Sequence, residues 1–242
     1  MLVLLRKEFS TFFSSPMGYI VIGVFLLITG LFLWVFRGEY NIMDNGYANL
    51  NGLFIMAPWL YLFLVPAITM RLFAEEKRTG TLELLLSRPI SRTSIVMSKY
   101  LAGLLLVIVS LIPTLVYVIS VYCMGDPMGN LDMGGTWGSY IGLVFLAGVY
   151  VAIGVFASSL TDNQIIAFII AAVLSGVFYY GFDLVGQTSN NGGTQALVSS
   201  FGISAHYDAM SRGVIDSRDA IYFLVVIAAF VFGTKLVIEK QE

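Results

Sequence analysis

Six stretches of this 242-residue chain are apolar over the thickness of a bilayer, and that pattern leaves few folds open. A helix needs about 20 residues to cross a hydrocarbon core roughly 30 Å thick. Inside lipid every backbone N–H and C=O must pair within the protein, so helices are the natural solution for runs of this length. The stretches are Met17–Phe36, Leu53–Phe73, Ile95–Met124, Trp137–Leu160, Gln164–Val185 and Ala220–Ile238. The sixth is the weakest, because it reaches full length only if Lys235 snorkels to the interface. Composition agrees: 12% of residues are charged, against about 25% in soluble domains. The expected fold class is an all-α integral membrane protein of six transmembrane helices, forming one domain over residues 1–242 with no internal repeat.

Orientation follows from Lys and Arg. With both termini on the cytoplasmic side, that side carries Arg6, Lys7, Arg71, Lys77, Arg78, Arg88, Arg92, Lys99, Lys235 and Lys240, and the other side only Arg37, Arg212 and Arg218. Tyr19, Trp34, Trp59, Trp137 and Tyr140 sit near span ends, where aromatic anchors belong. Residues 1–15 form a separate element. Leu2, Leu5, Phe9, Phe12 and Phe13 share one helical face, Lys7, Ser10, Thr11 and Ser14 the opposite one, and Pro16 breaks the helix. This is an amphipathic helix for the inner interface. It is too short and too polar for a cleavable signal peptide. The single Cys123 reads as a small buried hydrophobe. A net charge of −2 argues against a nucleic-acid partner.

Catalytic chemistry is scarce. His206 is the only histidine, and no cysteine is placed to join it in a metal site. No phosphate-cradling Gly-x4-Gly-Lys-Ser/Thr loop occurs, and Gly233-Thr234-Lys235 resembles one only superficially. Asp183, the one carboxylate within a span, lies a turn from Gly186 and reads as snorkelling or structural. Gly138/Gly142, Gly154/Ser158 and Ala172/Gly176 have the spacing for close helix packing within the chain. The connection 186–219 opens with turn residues, 187–193. It continues with Ala196–Ile203, which is too apolar for a free loop and too short to cross, and so suits a re-entrant helix.

One segment breaks the pattern. Between the second and third spans runs Glu75-Glu76-Lys77-Arg78-Thr79-Gly80-Thr81-Leu82-Glu83, a dense polar elbow. Thr81–Ser87 can form a short helix that Pro89 ends, and Ser91-Arg92-Thr93-Ser94 restarts one. Leu82, Leu84, Leu85 and Leu86 need a surface to cover them, supplied either by the chain itself or by a partner.

The elbow, with Pro89-Ile90-Ser91 and Lys99-Tyr100-Leu101-Ala102 after it, resembles the signature of type-2 ABC exporter permeases. Arg6-Lys7-Glu8-Phe9 with Ser15-Pro16, and His206-Tyr207 with Gly213–Asp219, are similar to the family as well. The likeness covers almost the whole chain. Within the family it is greatest to the gliding-motility permeases of Bacteroidota, with the permeases of nitrous-oxide-reductase maturation systems next. The resemblance implies a multi-pass protein of the bacterial inner membrane that is not itself an enzyme and binds no cofactor. ATP and Mg are expected on a separate cytoplasmic ABC ATPase, present in two copies. A coupling helix built from Glu75, Glu76, Lys77, Arg78, Gly80, Thr81, Leu82, Glu83, Leu84, Leu85 and Pro89 is expected to dock on it, with Leu82, Leu84 and Leu85 as the buried contact. A second permease subunit, identical or related, is implied. Spans one and five would face each other across that dimer, through Gly23 and Gly30 on one and Ala171, Ala172 and Gly176 on the other. Gliding systems add an extracytoplasmic partner and mechanical work in place of solute export. A permease for metalloenzyme maturation and a scaffold without energy coupling are the alternatives.

Overall fold

In the computed structural model, all regular structure among the described residues (1–188, 192–213 and 216–240) is helical. The chain opens with α1 (Leu2–Ser14), and α2 (Pro16–Gly30) with a π-helical turn, Leu31–Val35, makes the first span. The connection to span two holds α3 (Ile42–Asn45), capped by the Asn41 side chain, which accepts from the backbone N–H groups of Met43 and Asp44. Span two is α4 (Asn51–Thr69), which runs on as α5 (Arg71–Arg78); the short α6 (Thr81–Leu86) follows. Span three joins α7 (Arg92–Leu111) to α8 (Leu115–Met124) through a 3-10 turn at Pro113. Span four is one helix, α9 (Met133–Leu160). Span five is α10 (Gln164–Gly176), a π-helical turn (Val177–Gly181) and α11 (Phe182–Gln187). Then come α12 (Gly192–Ser199), α13 (Ile203–Ser211) and the last span, α14 (Ser217–Glu239), capped by Asp216.

Span four is the axis of the bundle. Within the apolar window of each span, 78% of span four is buried in the protein against 17% of span six. It packs against α4, α7, α10, α13 and α14. Its small residues make that possible. A Cβ on Gly154 would stand 2.0 Å from Thr69 Oγ1, and one on Gly138 would stand 2.7 Å from the Met210 carbonyl oxygen. The expected role in intrachain packing therefore holds for Gly138/Gly142 and Gly154/Ser158, both on span four. Spans one, five and six keep large apolar side chains such as Leu27, Ile169 and Leu224 on the outside, as lipid-facing helices do.

Several expectations need correction. Cys123 is exposed, because it lies on the outer side of α8. Tyr140 is not a headgroup anchor: it is buried, shares a hydrogen bond with Thr114 and meets Phe54 edge-on at 5.2 Å. Ala171 is fully buried within its own bundle and so is not available at a surface facing span one, whereas Gly23 is exposed and a Cβ there would meet nothing within 4 Å. The apolar stretch Ala196–Ile203 is not one helix. It divides at residues 200–202 between α12 and α13, and α13 lays Ile203, Tyr207 and Met210 into the core against span four. Residues 189–191 of the expected turn, and 214–215 of the motif before the last span, lie outside the described residues. His206 bridges this end of the bundle, with Nδ1 2.6 Å from Asp219 Oδ1, Nε2 2.9 Å from the Ser200 carbonyl, and its ring stacked 4.0 Å from Tyr222.

Candidate functional site

The elbow begins as a continuation of span two, and its stiffness has a visible source. Ser158 of α9, fully buried, accepts hydrogen bonds from the N–H groups of Phe73 and Ala74 (3.0 and 3.1 Å) and donates to the Met70 carbonyl at 2.9 Å. A foreign hydroxyl thus enters the hydrogen-bond ladder where α4 gives way to α5, a recognised cause of helix bending. Leu72, Phe73 and Ala74 are buried, and Lys77 Nζ donates to the Ser159 carbonyl. The chain turns at Gly80 (φ 68°), a left-handed conformation for which glycine is suited. From there α6 presents Leu82 to the protein interior and Glu83 and Leu84 to the outside, Leu84 at 68% exposure.

A buried ion cluster ties this element to the rest. The ammonium of Lys99, on α7 and 0% exposed, lies 3.3 Å from Glu8 Oε1, 2.8 Å from Glu76 Oε1 and 2.7 Å from the Leu72 carbonyl. Lys7 completes the set, 3.0 Å from Glu8 and 3.5 Å from Glu76. Partial burial pulls the Lys7 ammonium down, but its bond to Glu8 and the charges of Glu8 and Glu76 outweigh this and hold it above the ordinary lysine value. Lys99 and the two carboxylates are enclosed, where an unpaired charge would be costly, and the Lys7 side chain, 57% exposed, closes the cluster from outside. Beside them, Arg71 donates to Ser15 Oγ at 2.9 Å and lies over the Phe12 ring at 5.1 Å. Three elements meet here: α1, the α5–α6 elbow and the start of span three.

The geometry sorts the residues expected to act here. Glu75, Arg78, Gly80, Thr81, Glu83, Leu84 and Pro89 are exposed and available to a partner. Leu82 is not, being 5% exposed in the chain's own core, and Glu76 and Lys77 are engaged within the chain; Leu85 is half-buried. On α1, Phe12 is buried, Leu5, Phe9 and Phe13 are half-buried, and Leu2 is 79% exposed, so Leu2 does not share the packed face. That face runs Leu5, Glu8, Phe12, with a carboxylate in its middle. Sequence reasoning missed Glu8 and Lys99 as partners. The signal was a single acid on an apolar stripe and a single lysine a turn inside an apolar span. Between α1 and α5–α6 lies a groove of about 650 Å³, lined by Leu4, Lys7, Glu75, Leu84, Leu85 and Arg88 among others.

Residues 2–196 match the family described as ABC-2 family transporter protein. The chain belongs to that family. No curated protein matches it. The matched region holds α1, the elbow, the ion cluster and spans one to five, while α13 and span six lie beyond it. As an ABC-2 protein the chain is a membrane-embedded permease component of an ABC transporter, generally a non-catalytic role, and membership implies an ABC ATPase as its partner in general.

Proposed function

We propose that this ABC-2 permease receives work from a cytoplasmic ABC ATPase through the elbow, with Glu83 and Leu84 at the centre of the docking surface. The observation that carries the reading is the two-sided character of α6. One side is anchored by Leu82 in the core, and the other shows an exposed leucine and glutamate to the outside. Its base is held to span four by Ser158, and to α1 and span three by Lys99. Force applied at α6 would therefore reach three spans as semi-rigid bodies. ATP can shift the membrane part only as far as the ATPase contacts differ between states, so a stiff elbow transmits more of that difference.

The assembly we infer has two such ATPases, carrying ATP and Mg, and a second permease subunit, in the bacterial inner membrane with both termini cytoplasmic. Gliding motility is the process proposed, on the likeness of its motifs to gliding permeases, and the sparse charge within the spans suits mechanical work at least as well as polar export. Affinity purification in mild detergent tests the coupling. An ABC ATPase should co-purify with the native chain and be lost with Glu83→Lys/Leu84→Asp, which alters only exposed positions. Retention of the ATPase by that variant would remove the elbow from the mechanism. A deletion strain that glides normally but fails to mature a periplasmic metalloenzyme would move the process assignment.

A further inference from the structure

At the end of the bundle opposite the elbow, a cavity of about 380 Å³ lies between α4, α9, the last turns of span five and α13. Small-molecule pockets occupy roughly 300–1,000 Å³. One wall is aromatic: Trp59 and Tyr180 stack at 4.9 Å, and Tyr179 lies 5.0 Å from Tyr180. The lining also carries Asp183, one turn after Tyr180 on span five, with Asp208 of α13 and Arg212 at its end, two carboxylates against one guanidinium, so negative charge is in excess. Asp183 is held by a hydrogen bond from Ser204, and α13 itself is fixed by Tyr207, which donates to the Phe54 carbonyl at 2.8 Å. The Asp208 carboxylate makes no hydrogen bond among the described residues. Asp208 is exposed at the residue level; partial desolvation still pushes its carboxyl up, the nearby Arg212 opposes that, and the Asp183 charge adds to the rise. The mouth is bordered by Ile55 and Trp59, about half exposed on the outside of the bundle.

We propose that this cavity binds an ammonium group, paired to the carboxylates of Asp208 and Asp183, with its apolar carbons against Trp59 and Tyr180. Aromatic faces attract cations through the ring quadrupole, most strongly for Trp, and a charge-assisted hydrogen bond to a carboxylate adds direction. A metal ion fits less well, since among the described residues no group of three or more acidic, His or Cys ligands comes together. Such an ammonium can come from a small soluble amine or from an aminophospholipid headgroup, and both meet the same carboxylates and rings. The site needs neither ATP nor the elbow.

The test uses the full chain in nanodiscs of phosphatidylglycerol, titrated with choline, ethanolamine and the neutral choline isostere 3,3-dimethylbutan-1-ol, read by calorimetry. A second arm adds phosphatidylethanolamine and counts retained lipid by native mass spectrometry. Saturable binding of choline or ethanolamine without binding of the isostere is expected. Asp208→Asn should weaken ethanolamine about tenfold, by the usual strength of a charged hydrogen bond, and should weaken choline, which has no N–H to donate, through loss of the charge alone. Trp59→Phe should keep most of the affinity that Trp59→Leu loses. Specific retention of phosphatidylethanolamine with no response to free amines, again weakened by Asp208→Asn, would identify the lipid headgroup as the source. Equal binding of the isostere, no preference for either amine source, or indifference to Asp208→Asn at an unchanged unfolding temperature would overturn the assignment. Because no ATPase takes part, these outcomes are independent of whether the elbow docks one.

Discussion

Lys99 shows how much one buried charge can fix. Its ammonium is fully enclosed and answers two carboxylates from elements far apart in sequence, Glu8 and Glu76. Removing one member of a buried ion pair leaves the other uncompensated, at about 3–5 kcal/mol. Lys99→Met should therefore lower the thermal unfolding midpoint in detergent sharply, and adding Glu8→Gln and Glu76→Gln should recover part of the loss. If the triple variant is no more stable than the single one, the cluster is not the source of the cost. Gly154 poses the steric counterpart, since any Cβ there meets Thr69 Oγ1 at 2.0 Å. Overpacking of this kind costs roughly 1–3 kcal/mol. Gly154→Ala should destabilise by that order in the same assay, and Thr69→Ala should relieve some of it.

At the scale of the element, span two is unusual in holding two internal prolines, Pro58 and Pro66. A proline has no N–H, so Pro58 leaves the carbonyl of Phe54 without its helical donor. Tyr207 of α13 supplies the missing bond at 2.8 Å. An unsatisfied buried acceptor costs about 1–3 kcal/mol. Tyr207→Phe should thus destabilise the native chain but cost much less in a Pro58→Ala background, where the backbone N–H returns; equal losses in a double-mutant cycle would refute the compensation. The elbow depends on backbone geometry in another way. Gly80 sits at φ 68° with open space around it, so Gly80→Val brings strain and no clash. That strain is about 1–2 kcal/mol. Insertion should survive while ATPase stimulation by the permease falls, a separation visible by comparing membrane yield with ATP turnover.

For the whole molecule, the arrangement predicts which residues share a side of the membrane. In a Cys123→Ser background, Thr79→Cys should escape an impermeant maleimide until the cytoplasmic face is opened, and Asn130→Cys should react in intact cells. The opposite pattern would invert the topology. Much of this was legible in the sequence, because hydropathy acts locally: twenty apolar residues in a row need no knowledge of their neighbours to prefer lipid. The six spans, α1, the short helix after Gly80 and the restart capped by Ser91 follow from such local signals. Charge placement likewise marked the elbow before any fold was known.

What needed the tertiary structure were relations between positions distant along the chain. Small residues mark a helix for close packing but do not say against which neighbours, so packing made span four the axis and left span six largely to lipid. Leu82 and Leu84 are alike in sequence, yet one is core and the other surface, because α6 has one side against the bundle. Ser158 and Lys99 gained their meaning from partners 84 and 91 residues away. Hydrophobicity is a property of each residue by itself, whereas a hydrogen bond or an ion pair exists only between two, and folding alone decides which two meet.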